Sequence, residues 1–119
     1  MPAKTNRMTG AQLMLRALKK HDLTTAFCLA GTAHGPLLME IAKEKIAIVS
    51  GRNESATVGE ADGYARVTGK LGVALINAEH GLPNAMTGIL TANEACSPVL
   101  VLLTMPSGNR ADAQGGYPS

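Results

Sequence analysis

Apolar positions along the chain alternate between short continuous runs and segments with helical spacing. The runs have the length of strands, and helix-like segments separate them. Continuous apolar runs are typical of strands covered on both faces, as in parallel sheets. The pattern predicts a doubly wound α/β fold, a parallel sheet with helices on both faces. The predicted strands are Thr25–Leu29, Ile46–Val49, Gly72–Ile76 and Val99–Thr104.

Four segments carry signals for the start of a helix. Residues Thr9–Gln12 have the form of a capping box. Pro36 suits the first turn of a second helix, and Asn53 is a suitable N-cap for a third helix that runs to about Arg66. A fourth helix is predicted over Pro83–Ala95.

Helical spacing also predicts which helix faces are buried. In the third helix, Ser55, Gly59 and Gly63 recur every fourth residue. A glycine inside a helix costs roughly 1 kcal/mol relative to alanine, so this stripe predicts the close approach of another backbone. The expected buried residues of the first two helices are Leu13, Met14, Ala17, Leu18, Leu37, Leu38, Ile41 and Ala42.

The C-terminal segment differs from the rest of the chain in composition. From Met105 onward, proline, glycine, serine and asparagine dominate and no periodic segment follows. We therefore predict a loop over 105–119 and treat 1–119 as one incomplete domain, either a fragment of a longer protein or one subunit of a split protein.

Composition narrows the function classes. The chain has 119 residues, of which 45% are apolar and 17% are charged, which is typical of one globular domain. Eleven basic and nine acidic residues leave a net charge of +2, and aromatic residues make up 3%. These values do not predict a nucleic-acid partner.

No apolar run reaches the ~18 residues of a membrane span, and no secretory signal is visible. We expect a cytoplasmic protein in which Cys28 and Cys96 are reduced core thiols, and a disulfide between them is the less favoured alternative.

Polar residues gather in the loops that follow the strands, where ligands bind in open parallel sheets. Glu54 follows the second strand and begins a helix, so its position fits either a first-turn acid that complements the helix dipole or a catalytic acid with a hydrogen-bonding partner. His34 follows the first strand and faces either a substrate or solvent. No dinucleotide fingerprint, serine-nucleophile elbow or His-Glu-x-x-His metal helix is present.

Three segments in this setting carry a resemblance to a known family. They are Asn53–Ala56, Ala61–Arg66 and Thr68–Ala74, which include the pattern Glu-x(6)-Ala-Asp-Gly-Tyr-Ala-Arg. With further matches in order from Met8 to Ser119, the chain resembles the pyrimidine-binding domain of thiamine-diphosphate enzymes, in the acetolactate synthase and benzaldehyde lyase group.

The resemblance implies a role for Glu54. The matching glutamate of the family hydrogen-bonds a ring nitrogen of the cofactor's aminopyrimidine and promotes its imino tautomer. The exocyclic nitrogen then removes the thiazolium C2 proton, and the resulting ylide attacks a 2-oxo acid or aldehyde, with the cofactor as electron sink.

Other site residues are also implied by the resemblance. Gly31 and Asn84 match positions near the cofactor, although Asn84 also fits a helix-capping role. His34, His80 and Gln114 are the candidates for substrate contact, and His34 is also a candidate for proton transfer.

The resemblance further implies residues that this chain does not supply. The family binds the diphosphate and Mg²⁺ through a Gly-Asp-Gly motif on a second domain, and the near match Ala61–Gly63 falls inside a predicted helix. We therefore expect no metal ligands in this chain, no activity of the isolated chain, and a homodimeric or homotetrameric parent enzyme. Two alternatives stay open: a separate pyrimidine-domain subunit of a two-chain 2-oxo acid decarboxylase, and a non-enzymatic α/β module that binds a ligand or partner.

Overall fold

Residues 7–105, which the computed structural model describes, form a four-stranded parallel sheet flanked by helices. The sheet order is β2-β1-β3-β4, so the predicted parallel sheet is confirmed, and each strand boundary lies within one residue of its prediction. The strands are β1 (Thr25–Cys28), β2 (Ala47–Ser50), β3 (Gly72–Asn77) and β4 (Val99–Thr104). The helices are α1 (Gly10–Lys19), α2 (Gly35–Lys43), α3 (Glu54–Thr68) and α4 (Gly81–Glu94), and a 3-10 turn over Thr32–His34 precedes α2.

The predicted helix caps are present. Thr9 Oγ1 accepts a hydrogen bond from the Gln12 backbone N–H at 3.2 Å, and Gln12 Oε1 accepts one from the Thr9 N–H at 3.0 Å. Asn53 Oδ1 accepts the backbone N–H of Ser55 at 2.9 Å and that of the next residue at 3.3 Å. These bonds satisfy N–H groups that the first turn of a helix otherwise leaves unpaired. They place the start of α3, and hence Glu54, directly after β2.

The sheet separates two apolar cores. Strand β3 is buried through residues 72–76, and alternate side chains of the strand enter opposite cores. Val73 and Leu75 join α1 and α2 on one face, whereas Ala74 and Ile76 join α3 and α4 on the other. The predicted placement of helices on both faces is thereby confirmed.

The predicted buried face of α1 is wrong in part. Leu15 and Leu18 are buried, but Leu13 and Met14 are 61% and 42% exposed, and Ala17 is also exposed. Apolar residues cover a wide arc of this helix, so two overlapping helical stripes fit the sequence. Contact with α2 and the sheet selects the stripe through Leu15 and Leu18. In α2, Ala42 is likewise exposed.

Strand β4 and Cys96 also depart from prediction. Residues 99–102 of β4 are only partly buried and Leu103 is 43% exposed, because β4 lies at the edge of the described sheet. Cys28 is a buried core thiol as expected, and burial raises its pKa to about 11. Cys96 is exposed because it lies in the turn after α4, so its assignment to the core is wrong.

The close helix contact forms at a different glycine from the ones predicted. A Cβ built on Gly88 of α4 would lie 2.6 Å from the Ser55 carbonyl oxygen, so α3 and α4 pack tightly there. Gly59 and Gly63 are exposed, and Cβ atoms built on them meet nothing within 4 Å among residues 7–105. The partner expected for this stripe stays a prediction. In this described part of the chain, none of the helices has the length and apolar composition needed to cross a membrane.

Candidate functional site

The candidate site lies at the carboxyl ends of β1 and β3, where the connections that follow the two strands pass to opposite faces of the sheet. These strands are neighbours in the sheet, yet β1 leads to α2 on one face and β3 leads to α4 on the other. Such a switch point leaves a crevice beyond the strand ends, which is the usual ligand position in open α/β sheets. The start of α3 after β2 borders the same crevice.

Glu54 and Asn84 meet in this crevice. Asn84 Nδ2 donates a hydrogen bond to Glu54 Oε2 at 3.2 Å, which joins the first turns of α3 and α4 across 30 residues of sequence. The alternative capping role of Asn84 is wrong, because α4 begins at Gly81, two residues before the predicted start, and Asn84 lies inside the helix. Two of the predicted cofactor-binding residues are therefore in direct contact.

The surroundings of Glu54 leave half of its carboxylate available. Glu54 is half-buried, and within residues 7–105 its Oε1 atom accepts no hydrogen bond and neither oxygen forms a salt bridge. A Cβ built on Gly81 would lie 3.3 Å from Glu54 Cγ and 3.5 Å from Oε1, so the missing side chain leaves space beside this oxygen. A carboxylate held by one neutral donor retains an oxygen that can accept or share a proton.

Gly31 and His34 form a second group at the same end of the sheet. The His34 side chain is fully buried, so of its two alternatives the solvent-facing one is wrong, and contact with a substrate stays a prediction. Its Nδ1 accepts the Gly31 N–H at 2.9 Å, and its Nε2 lies 3.0 Å from Thr104 Oγ1. Thr104 Oγ1 in turn donates to Asn77 Oδ1 at 3.4 Å.

The sequence analysis did not identify Asn77 and Thr104, which the structure joins to His34. Both are the last residues of apolar strands, at paired positions of β3 and β4. A polar residue at the carboxyl end of a buried parallel strand is the signal that identifies such positions. Asn77 also lies against Gly31, where an added Cβ would be 2.5 Å from Asn77 Nδ2.

The remaining candidates lie apart from these groups. His80 is exposed at the N-cap position of α4, and its side chain makes no capping hydrogen bond. Gln114 lies outside the described residues, as does nearly all of the loop predicted over 105–119. Contact of either residue with a substrate stays a prediction.

The near match to a diphosphate-binding motif has a structural role. Asp62 lies in the middle of α3 and is 5% exposed. Its carboxylate accepts two hydrogen bonds from Arg66, at 2.9 Å from Nε and 2.5 Å from Nη2. These bonds lower the pKa of Asp62 and raise that of Arg66. Asp62 is thus committed to an ion pair, and residues 7–105 contain no cluster of three or more His, Cys, Asp or Glu side chains that could hold a metal.

Comparison with known proteins gives a consistent family. Mouse 2-hydroxyacyl-CoA lyase 2 is 38% identical over 99 residues, which are 83% of this chain and 16% of that protein. A probable acetolactate synthase large subunit of Methanococcus aeolicus is 34% identical over 95 residues, with 80% and 16% coverage. The chain thus spans about one sixth of the length of these relatives.

Solved structures with this fold and a family model agree with those relatives. The thiamine diphosphate-dependent 4-hydroxybenzoylformate decarboxylase of Rhodococcus jostii superposes with a TM-score of 0.83 and 26% identity, over 92% of this chain and 20% of that one. The model described as "Thiamine pyrophosphate enzyme, N-terminal TPP binding domain" matches residues 8–117. The chain therefore belongs to the thiamine pyrophosphate enzymes, and it carries their N-terminal thiamine pyrophosphate-binding domain.

Proposed function

We propose that Glu54 is the cofactor-binding carboxylate of this domain and that it acts on the pyrimidine ring of thiamine diphosphate. The observation that carries the proposal is the Glu54–Asn84 contact at the switch point, which fixes Oε2 and leaves Oε1 free beside Gly81. A ring nitrogen placed there would meet a carboxyl group able to hold a proton at Oε1.

The residues present fit this cofactor in their chemistry. Asn84 supplies a neutral donor that orients Glu54 without an opposing charge, so the carboxyl group keeps the capacity to exchange a proton. Gly81 is buried and lacks a side chain that would fill the space next to Oε1. When bound, thiamine diphosphate supplies the carbon nucleophile and the electron sink of the reaction. Glu54 and Asn84 contribute orientation and a proton position.

We further propose that the diphosphate and Mg²⁺ are held by residues outside the described part of the chain. Asp62, the residue of the near match, is paired with Arg66, and residues 7–105 offer no cluster of metal ligands. Mg²⁺ in nucleotide-like sites needs carboxylate oxygens together with the phosphates. The share of its relatives' length that this chain spans, about one sixth, supports a second domain as their source.

The proposed reaction forms or breaks a carbon–carbon bond next to the carbonyl of a 2-oxo acid or aldehyde. The names of the relatives support this class, since they include a 2-hydroxyacyl-CoA lyase, an acetolactate synthase subunit and a 4-hydroxybenzoylformate decarboxylase. We propose a homo-oligomeric, cytoplasmic parent enzyme. The exposed glycines of α3 support a partner on that face, and the free thiols agree with a reducing compartment.

The test is exchange of the cofactor's C2 proton for deuterium in the enzyme that contains this domain. Glu54→Gln keeps an acceptor for Asn84 but removes the proton-holding carboxyl, so we expect exchange about 10²–10⁴-fold slower. Glu60→Gln, an exposed position on the same helix, is the matched control and should exchange at the normal rate. Unchanged exchange in Glu54→Gln would remove Glu54 from the mechanism.

A further inference from the structure

A chain of hydrogen bonds at the switch point has no part in the function proposed above. It links the loop after β1, the end of β3 and the end of β4 through Gly31, His34, Thr104 and Asn77. His34 is its centre and is fully buried, with a partner on each ring nitrogen. A histidine in this state has no free nitrogen with which to meet a substrate.

The direction of these bonds follows from the first donor. The Gly31 backbone N–H can only donate, so His34 Nδ1 must accept and carries no proton. In the neutral imidazole the proton then lies on Nε2, because one nitrogen donates when the other accepts. His34 therefore donates from Nε2 to Thr104 Oγ1.

The Thr104 hydroxyl extends the chain of hydrogen bonds to Asn77. With one lone pair of Oγ1 engaged by His34, the Thr104 hydroxyl hydrogen is free to donate to Asn77 Oδ1. The reversed amide would instead face Thr104 with its N–H₂ group, leaving the hydroxyl hydrogen without this acceptor. The order of these bonds thus selects one orientation of the Asn77 amide, in which Nδ2 donates to no residue of the described range 7–105.

We propose that His34 and Thr104 are positioning residues, which fix the Asn77 amide beside Gly31 so that its Nδ2 keeps a hydrogen-bond donor available at the end of β3, next to the Glu54–Asn84 site. A Cβ built on Gly81 would lie 3.5 Å from Glu54 Oε1 and 3.6 Å from Asn77 Cβ, so both residues border the same glycine. The proposal goes beyond the function proposed above and does not depend on which cofactor binds.

The first test reads the His34 tautomer by nitrogen-15 NMR of the 119-residue chain. We expect His34 to show one protonated ring nitrogen, Nε2, and one unprotonated nitrogen, Nδ1. His21 and His80 are exposed and serve as internal references that average between tautomers. A His34 ring that averages like the other two, or that carries its proton on Nδ1, would overturn the proposal.

The second test uses Thr104→Val, which keeps the shape of the side chain and removes the hydroxyl, with Thr104→Ser as the conservative rescue. With valine we expect the side-chain amide signals of Asn77 to move and the Gly31 amide to exchange with solvent about tenfold faster, the equivalent of one lost hydrogen bond. Serine should restore both values. Asn77 signals that are the same with valine as with threonine would overturn the relay. The His34 tautomer is read in the unmodified chain, so it tests the direction of the hydrogen bonds even if a Thr104 variant does not fold.

Discussion

Two carboxylates on helix α3 lie two turns apart and have opposite environments. Asp62 is 5% exposed and accepts both of its hydrogen bonds from the Arg66 guanidinium, which lowers its pKa. Glu54 is half-buried, and the one hydrogen bond that its carboxylate accepts within residues 7–105 comes from the neutral amide of Asn84. A cationic partner fixes a carboxylate as an anion, whereas a neutral donor orients it and leaves its second oxygen free.

If Glu54 has the role proposed for it, burial does not by itself mark the functional carboxylate of this domain. The more buried of the two acids lies in the motif-like segment Ala61–Gly63, yet its hydrogen bonds come from Arg66 of the same helix. Arg66 also donates to the Thr91 carbonyl oxygen of α4 at 3.5 Å. The acid at the strand ends is less buried, and it lies where a ligand can reach it. The charge of the partner and the position in the sheet separate structural from functional roles.

Among the changes that keep Glu54 itself, the largest effect is expected when its neutral partner becomes charged. Asn84→Asp replaces the donor that now lies 3.2 Å from Glu54 Oε2 with a second carboxylate. Repulsion between the two then raises the cost of an ionised Glu54. We expect cofactor C2 proton exchange in the enzyme to fall about tenfold or more. Asp62→Asn, which changes the other carboxylate of α3, is the control and should leave exchange within about twofold. An equal fall of C2 proton exchange in both variants would contradict a functional role for Glu54 and a structural role for Asp62.

A smaller effect is expected in the pH dependence of stability. The pKa of Asp62 is lowered in the folded chain, so its ion pair contributes stability that is fully present above the unfolded pKa of about 4 and is lost as pH falls through the lowered value. Urea unfolding of the chain between pH 2 and 6 measures this. The free energy of unfolding of the unmodified chain should exceed that of Asp62→Asn by most near pH 6, and this excess should shrink toward pH 2. An excess that does not change with pH would contradict a stabilising ion pair at Asp62.

The smallest effect concerns the open glycines of α3. Gly63→Ala places a methyl group where no atom of residues 7–105 lies within 4 Å, so it should raise the free energy of unfolding by roughly 0.5–1 kcal/mol through helix propensity. Gly69, the residue after this helix, is equally open but has φ +69°. Gly69→Ala should therefore lower stability by about 1 kcal/mol. A destabilising Gly63→Ala in the monomeric chain would show that this face is already in contact.

Much of the fold follows from local chemistry that a sequence displays. The Asn53 cap and the apolar run of β3 require only neighbouring residues, so the start of α3 and the burial of β3 were predictable. Glu54 was identifiable for the same reason, since it follows a strand and begins a helix. The buried stripe of α1 was not, because apolar residues on several sides of that helix leave the choice to its tertiary contacts.

The unpredicted part of the site depends on contacts between residues far apart in sequence. Thr104 and His34 are 70 residues apart and meet only because β4 and β1 both flank β3. The 3-10 turn before α2 buries the His34 ring, which no periodicity of the surrounding residues reveals. Asn77 ends an apolar strand, and its importance becomes visible only beside Gly31 and Gly81.

The most direct measurement is a crystal structure of the enzyme that contains this domain, in complex with thiamine diphosphate. The account predicts Glu54 Oε1 within hydrogen-bonding distance of a pyrimidine ring nitrogen, with Asn84 Nδ2 still bound to Oε2. A pyrimidine ring that contacts another residue, with the Glu54 side chain turned toward solvent, would contradict it.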